Sequence, residues 1–166
     1  MHMTPQELRR RLEETRTLQP GSAQRLQQHR ELAEQCSTFV PNLLALSRAL
    51  QLSDAGTDAP AHLSESERVL RAAVEVSGEE ASALIELAHF VDVVRDSPTE
   101  AEALFAEAAR RASRQLEEAW AGWIGVLGEQ EKLEAALELA SRAQRMFPDS
   151  ELITEAVEFA KRCAAP

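Results

Sequence analysis

Four segments of the chain repeat one spacing of apolar or small residues, and this repetition constrains the fold more than any other feature. In each segment the residues stand at offsets of 0, 3, 4 and 7. The four sets are Leu43, Leu46, Ser47 and Leu50; Leu84, Leu87, Ala88 and Val91; Trp120, Trp123, Ile124 and Leu127; and Ile153, Ala156, Val157 and Ala160. Residues with this spacing lie on one stripe of an α-helix, so the repetition predicts four helices that bury the same face.

A second spacing alternates with the first along the chain. It places residues at offsets of 0, 4 and 7, and the small ones dominate. The three sets are Ser66, Leu70 and Ala73; Ala101, Phe105 and Ala108; and Ala136, Ala140 and Ala143. Small side chains let two helices approach closely. Each helix of the first kind is therefore predicted to form a hairpin with the helix of the second kind that follows it.

The composition agrees with a wholly helical protein. The chain has 6 Gly and 7 Pro among 166 residues, few for a sheet protein with many turns. Ala, Leu, Glu, Arg and Gln, which are good helix formers, dominate. We expect an all-α fold with about nine helices and no strand. Two of these helices are predicted as separate elements over residues 99–112 and 116–127.

Several helix starts are predicted from capping residues. Thr4, Ser22 and Ser150 each precede a helical pattern and can accept a hydrogen bond from the first turn. Ser64 is predicted to do the same, because residues 53–63 contain Gly, Pro and two Asp and resemble a loop.

The two alternating spacings resemble the tetratricopeptide repeat (TPR), whose pattern is Trp-x-x-Leu-Gly-x-x-Tyr, then Ala-x-x-x-Phe-x-x-Ala, then Pro. The stretch from Trp120 to Pro148 matches best, since Ala136 follows Trp120 by 16 positions and Pro148 follows Ala143 by five. The four first-helix segments start 41, 36 and 33 residues apart, around the family period of about 34. The resemblance covers residues 41–163.

The sequence departs from the family pattern at two positions. The family's Gly is replaced by Ser47, Ala88 or Ile124, and its Tyr is never present. Ile124 is bulky for that position, so packing there is expected to be looser or shifted. The alternative to a TPR-like fold is another helical solenoid or bundle in which the spacing is accidental.

The resemblance implies an architecture as well as a fold class. It implies a right-handed stack of antiparallel helical hairpins, a TPR-like α-solenoid. Residues 1–38 are expected to form an N-terminal helical hairpin, and residues 39–166 the TPR-like repeats with a C-terminal capping helix. Together they are expected to make one compact domain.

The resemblance also implies a function, because TPR proteins hold a partner's peptide or helix on the concave face lined by their first helices. We therefore expect a non-catalytic scaffold or adaptor. The residues carried over to that face are Leu44, Arg48, Gln51, Ile85, His89, Asp92, Ala121, Gly125 and Gly128. The alternative for the polar ones is an ordinary solvated surface. The alternative function is a structural protein that dimerises through its N-terminal hairpin.

Charge narrows the choice of partner to proteins and peptides. The net charge is -10, from 28 acidic and 18 basic residues, so nucleic acid and anionic membranes would be repelled. Arg9, Arg10 and Arg11 form a basic cluster that is a candidate interface for an acidic partner or a second copy, or else a solvated helix face. A monomer and a homodimer are both compatible with the sequence.

No pattern in the sequence indicates catalysis or a bound metal or cofactor. It lacks a Ser-His-Asp set, a Gly-rich phosphate loop and paired metal ligands. Cys36 and Cys163 lie far apart and form no Cys-x-x-Cys pair. We find no signal peptide and no apolar run long enough to cross a bilayer, so a cytoplasmic location is expected.

Two tryptophans three residues apart are the most conspicuous apolar side chains. Trp120 is expected in the core, as aromatics at helical spacing usually are. Trp123 is either part of that core or an exposed anchor for a partner.

Overall fold

The computed structural model describes residues 3–53 and 56–164. Within these ranges the backbone forms eight α-helices and no strand, which confirms the predicted all-α fold. The helices are α1 (Pro5–Arg16), α2 (Ala23–Gln35), α3 (Val40–Leu52), α4 (Ala59–Val76), α5 (Ala81–Val93), α6 (Pro98–Glu129), α7 (Leu133–Met146) and α8 (Glu151–Cys163).

Three of the four predicted helix caps are confirmed. The side chains of Thr4, Ser22 and Ser150 each accept a hydrogen bond from the backbone N–H three residues later, at 3.0–3.2 Å. The prediction for Ser64 is wrong, because α4 begins earlier, at Ala59. Pro60 occupies the first turn of α4, where a missing N–H costs no helical hydrogen bond.

α6 is one helix where the sequence predicted two. It continues from Pro98 to Glu129 without a break. Residues 113–115, between the two predicted helices, are Ser-Arg-Gln, and none of them ends a helix as Gly or Pro would. The described residues therefore contain eight α-helices instead of the predicted nine.

The chain divides into two compact units, Met1–Ala108 and Ala109–Pro166, so the division falls inside α6. In the first unit α1 packs on α2, α2 on α3, α3 on α4 and α4 on α5, while α3 also contacts α5. The main core cluster of this unit draws on α2, α3, α4 and α5, with Leu26, Leu46, Leu50 and Ala73 among its buried residues.

The N-terminal hairpin is part of this first unit. Leu26 of α2 belongs to the same buried cluster as Leu46 of α3. The turn before α2 also lies against the end of α3, because a Cβ on Gly21 would stand 2.7 Å from the carbonyl oxygen of Leu52. Helices α2 and α3 therefore share a core within the first unit.

The second unit consists of the last part of α6 with α7 and α8. Its buried cluster draws on both repeated spacings through Ile124, Ala136, Ala140, Ala143, Ile153, Val157 and Ala160. Ala121 and Leu139, which belong to neither spacing, complete the cluster. Trp120, Leu127 and Ala156 pack against its edge. The repeated spacings therefore mark the buried faces of α7 and α8, whereas in α6 Trp123 belongs to the spacing but is 55% exposed.

Candidate functional site

Six of the predicted partner-binding residues lie on α3 and α5 of the first unit, two helices that contact each other. We call this set the α3–α5 surface: Leu44, Arg48, Gln51, Ile85, His89 and Asp92. All are exposed except Leu44, which is half-buried and packs against two core clusters. Five of the six can therefore contact solvent or a partner.

The polar groups of α3 on this surface bond to other groups of the same unit. Arg48 forms a two-point salt bridge with Glu86, with Nε 3.1 Å from Oε2. Gln51 Nε2 donates to the hydroxyl oxygens of Ser47 at 3.0 Å and Ser66 at 3.2 Å. The donor groups of Arg48 and Gln51 are thus already bonded within the chain, so fewer of them are available to a partner.

The α5 side of the α3–α5 surface is more open. Ile85 is 38% exposed and Asp92 is exposed. His89 is exposed and meets the ring of Phe105 edge-on, with 4.9 Å between ring centres. These three side chains form a small surface that combines an apolar, an aromatic and an acidic group.

A buried polar pair joins α2 to α3 in the same unit. His29 is completely buried, its Nδ1 stands 2.8 Å from Asn42 Oδ1, and Asn42 Nδ2 donates to the His29 carbonyl at 2.9 Å. His29 Nε2 has no hydrogen-bond partner among the described residues. Burial lowers the pKa of His29, because a charged ring would lose its hydration. The neutral ring, with its proton on Nδ1, suits this environment.

The N-terminal arginine cluster is mostly occupied by contacts within the N-terminal hairpin. Arg10 forms salt bridges with Glu7 and Glu14, and Arg11 reaches Glu7 and the side-chain oxygen of Gln35. Arg9 is exposed and forms no salt bridge with another described residue. The cluster therefore presents one unpaired arginine, fewer than the sequence suggested for an acidic partner.

The second unit contains an open groove between α6 and α8, of about 480 Å³, which we call the α6–α8 groove. From α6 it is lined by Glu118, Ala121, Gly122 and Gly125. From α8 it is lined by Leu152, Glu155, Ala156, Phe159 and Arg162. Two of the predicted partner-binding residues, Ala121 and Gly125, thus line the same groove. The residues of α8 that line its other side were not among the predicted ones.

Gly128 has a different role from the one that its position suggested. It is buried, and a Cβ on it would come 2.5 Å from the Cα of Ala160. Gly128 is therefore a contact between helices and not an open position of the groove. Gly125 is only partly buried, and its Cβ would find one neighbour, Phe159, at 3.9 Å.

Small residues make the floor of the α6–α8 groove, and larger ones make its walls. Ala121 and Ala156 lie low in the groove, and nothing stands within 4 Å of the position of a Cβ on Gly122. Leu152 is 41% exposed at one end. This shape leaves room for an incoming side chain or a closely approaching backbone.

The charged groups along the groove form no salt bridge with other described residues. Glu118 and Glu155 are exposed and form no salt bridge in the part of the chain that the structure describes. Arg162, also without a salt bridge there, lies over the ring of Phe159 with its guanidinium 6.0 Å from the ring centre. These charges remain available to a partner.

The two tryptophans of α6 differ in their surroundings. Trp120 is half-buried and meets Phe147 edge-on, with 6.1 Å between ring centres. Trp123 is 55% exposed, and Val126 beside it is exposed as well. Of the two alternatives for Trp123, a core residue or an exposed side chain, the structure therefore supports the exposed one.

Among residues 3–53 and 56–164, no three His, Cys, Asp or Glu side chains come together as ligands of a metal ion would. None of the helices in the same ranges is both long enough and apolar enough to span a bilayer.

Comparison with known proteins identifies the family. A Myxococcus xanthus protein named "Uncharacterized 18.1 kDa protein in carS 3'region" is 47% identical over 161 residues, which cover 96% of this chain and 95% of that protein. A family model, the Myxococcota tetratricopeptide repeat protein family, matches residues 1–78. The chain belongs to this tetratricopeptide repeat family. No solved structure matches the chain significantly.

Membership in the TPR family confirms the resemblance and extends it. The match to residues 1–78 includes the N-terminal hairpin, which the sequence pattern had left outside the repeats. The positions of the family's Gly, which hold Ser47, Ala88 and Ile124 here, are all completely buried. Ser47 fits there with its hydroxyl 2.8 Å from that of Ser66 on α4.

Proposed function

We propose that this TPR protein is a non-catalytic interaction module that holds a peptide or helix of a partner protein in the α6–α8 groove. The observation that carries the proposal is an open cavity with a floor of small residues and with two wall carboxylates, Glu118 and Glu155, that form no salt bridge within the described residues. Charges that a protein does not neutralise itself are available to orient a partner and to accelerate encounter.

Exposed apolar side chains on the helices that form the groove also support an interaction surface in the second unit, and one of them, Leu152, lines the groove itself. Trp123, Val126 and Leu152 are each more than 40% exposed, and all lie on α6 or α8. Aromatic and large aliphatic residues that stay exposed mark interaction sites more often than isolated small ones, and Trp is enriched among binding hot spots. The net charge of -10 favours a protein partner over nucleic acid.

The α3–α5 surface is the second region that a partner could contact, through Ile85, His89 and Asp92. It ranks below the groove because Arg48 and Gln51 are already bonded within the chain. Self-association through the N-terminal hairpin remains the alternative function. It is less favoured because Arg10 and Arg11 are held by Glu7, Glu14 and Gln35.

A change at one glycine tests the groove. Gly122→Trp would fill the cavity, whereas Gly122→Ala changes the backbone freedom at the same position without filling it. Both replace a glycine in a helix, so neither is expected to destabilise α6. Proteins retained by the immobilised chain from cells that express it should bind the wild type and Gly122→Ala, and be lost with Gly122→Trp.

Equal retention by all three proteins would contradict binding in the groove. The mass of the purified chain in solution distinguishes the interaction module from the alternative function, self-association. A monomer that retains a partner supports the module, whereas a stable dimer that retains nothing supports self-association.

A further inference from the structure

The two helices of the α6–α8 groove run in the same direction, which gives the groove two distinct ends. Gly125 lies opposite Phe159, and Gly128 lies against Ala160 further along both helices. Glu118 of α6 therefore lies toward the end where Leu152 and Glu155 stand on α8. Arg162 lines the opposite end.

One end of the groove is thus acidic, and its carboxylates lack partners. Glu118 and Glu155 are both exposed, and neither forms a salt bridge within the described residues. The other end holds Arg162 above the ring of Phe159. Between the ends the surface is apolar or small, so the groove has an order of acidic, apolar and basic groups.

Resting on the function proposed above, we infer that the occupant of the groove is a basic amphipathic segment of another protein. A lysine or arginine of that segment pairs with Glu118 and Glu155, and an apolar side chain next to it enters the cavity over Gly122. The groove extends from Leu152 to Arg162, about 15 Å of helix at 1.5 Å per residue, so it accommodates about three turns of a helical segment. The opposite end suits an acidic side chain, which Arg162 would receive.

Charge also disfavours a second copy of this chain as the occupant. The chain carries a net charge of -10, and the exposed faces of α7 and α8 include Glu134, Glu138 and Glu158. Glu118 and Glu155 would be repelled by the acidic surface of a second copy, because bringing like charges together is unfavourable. A basic segment is the partner whose charge complements this end.

Two synthetic peptides of 14 residues test this inference against the full chain. Each is an amphipathic Leu- and Ala-based helix with blocked ends, and its polar face carries either lysines or glutamates. Fluorescence anisotropy of the labelled peptide measures affinity at physiological ionic strength. We expect the wild type to bind the lysine peptide and not the glutamate peptide.

Matched charge reversals show whether the affinity for the lysine peptide comes from the groove or from the overall charge of the chain. The double variant Glu118→Arg with Glu155→Arg should lower the affinity for the lysine peptide by about tenfold or more, as expected when two favourable charge pairs become repulsive. The control, Glu134→Arg with Glu138→Arg on exposed positions of α7, changes the net charge equally and should lower the affinity much less. The groove variant should gain affinity for the glutamate peptide.

The remaining outcomes separate this inference from the proposed function. An equal loss in both double variants, or no binding of the lysine peptide, would overturn the basic occupant. If the wild type binds the glutamate peptide and Gly122→Trp abolishes that binding, the groove is a binding site but its occupant is acidic. A dimer that dissociates in Gly122→Trp would instead identify a second copy as the occupant.

Discussion

In the first unit charged side chains of different helices bond to one another, whereas in the second unit the charges around the α6–α8 groove form no salt bridge among the described residues. Arg48 pairs with Glu86 across two helices, and Arg30 pairs with Glu65, whose pKa is lowered by the hydrogen bonds from that guanidinium. Glu118 and Glu155 have no such partner in the described part of the second unit. Charged groups that are already paired within the chain are less available to a ligand, so the comparison supports the proposal that the second unit, rather than the first, binds a partner.

The aromatic side chains also differ between the two units. In the first unit Phe90 is buried, and the ring of Phe105 is half-buried beneath His89. In the second unit Trp123 remains 55% exposed on a helix whose opposite face is fully packed. An exposed tryptophan contributes little to the packing of the unit itself, so this difference supports the proposal that the second unit binds a partner.

The two units differ at their surfaces, and we expect no such difference in their cores, which should both be well packed. Ile124→Ala in the second unit should cost about 2–5 kcal/mol of unfolding free energy, as should Leu50→Ala in the first, because both side chains are completely or almost completely buried. Both tryptophans lie in the second unit, so urea unfolding followed by tryptophan fluorescence reports that unit. A cost below about 1 kcal/mol for Ile124→Ala would mean that packing around this bulky position is loose.

The buried polar pair of the first unit should contribute the next largest effect. Asn42→Ala should lower stability by about 1–3 kcal/mol, because it removes the acceptor for the buried Nδ1 of His29. Chemical denaturation followed by circular dichroism measures this change. Asn42→Asp is a useful comparison, since it keeps the acceptor oxygen but adds a buried charge. A stability equal to the wild type in Asn42→Ala would remove the structural role of this pair.

Acid should weaken the same region by a smaller amount. The pKa of His29 is lowered in the folded state, so its contribution is complete above the ordinary value of 6.5 and is lost as the pH falls below it, where the unfolded chain takes up the proton first. Arg16 and Arg25 reinforce this by repelling a charged ring. The carboxylates with lowered pKa, such as Glu65, lose their contributions only below 4.5.

A denaturation series between pH 7.5 and about 5 isolates this histidine. Wild-type stability should fall across the range, and His29→Gln, which does not titrate, should show a flatter profile. His62→Gln provides the control, because His62 is a half-buried histidine of α4 in the same unit. Identical slopes for the wild type and His29→Gln would contradict the neutral, buried state of the ring.

The smallest expected effect concerns the surface salt bridge of the α3–α5 surface. Arg48→Ala should cost only about 0–1 kcal/mol, as exposed pairs usually do. It should also leave partner binding unchanged, whereas Trp123→Ala should weaken binding with little effect on stability. Thermal unfolding and the retention assay measure the two properties separately. Loss of binding in Arg48→Ala but not in Trp123→Ala would reverse the assignment of the two units.

Much of the fold follows from spacing that can be read directly. The buried positions of α3, α5, α7 and α8 were predicted because apolar periodicity depends on which face a helix buries, and three caps followed from local hydrogen-bonding chemistry. The continuity of α6 was missed because the repeat pattern calls for a turn there, whereas the local residues favour a helix. The start of α4 was missed because Pro60 suggests a loop as readily as a first turn.

Only the α6 side of the candidate site could be predicted from the sequence. Glycine suits both an open groove floor and a close helix contact, so Gly125 and Gly128 could not be told apart without knowing that Ala160 lies against only one of them. The α8 wall was missed because this helix was interpreted as a cap. Its outward positions, such as Leu152 and Phe159, alternate with the buried Ile153, Val157 and Ala160, and this alternation was the available signal.

Chemical footprinting of carboxylates tests the central claim most directly. The chain is labelled at exposed Asp and Glu side chains with and without the lysine peptide or a captured partner, and mass spectrometry gives the labelling rate at each position. The account predicts that Glu118 and Glu155 are protected on binding, while Glu138 of α7 and Asp92 of the α3–α5 surface keep their rates. Protection of Asp92 with unchanged labelling of Glu118 and Glu155 would place recognition in the first unit and contradict the account.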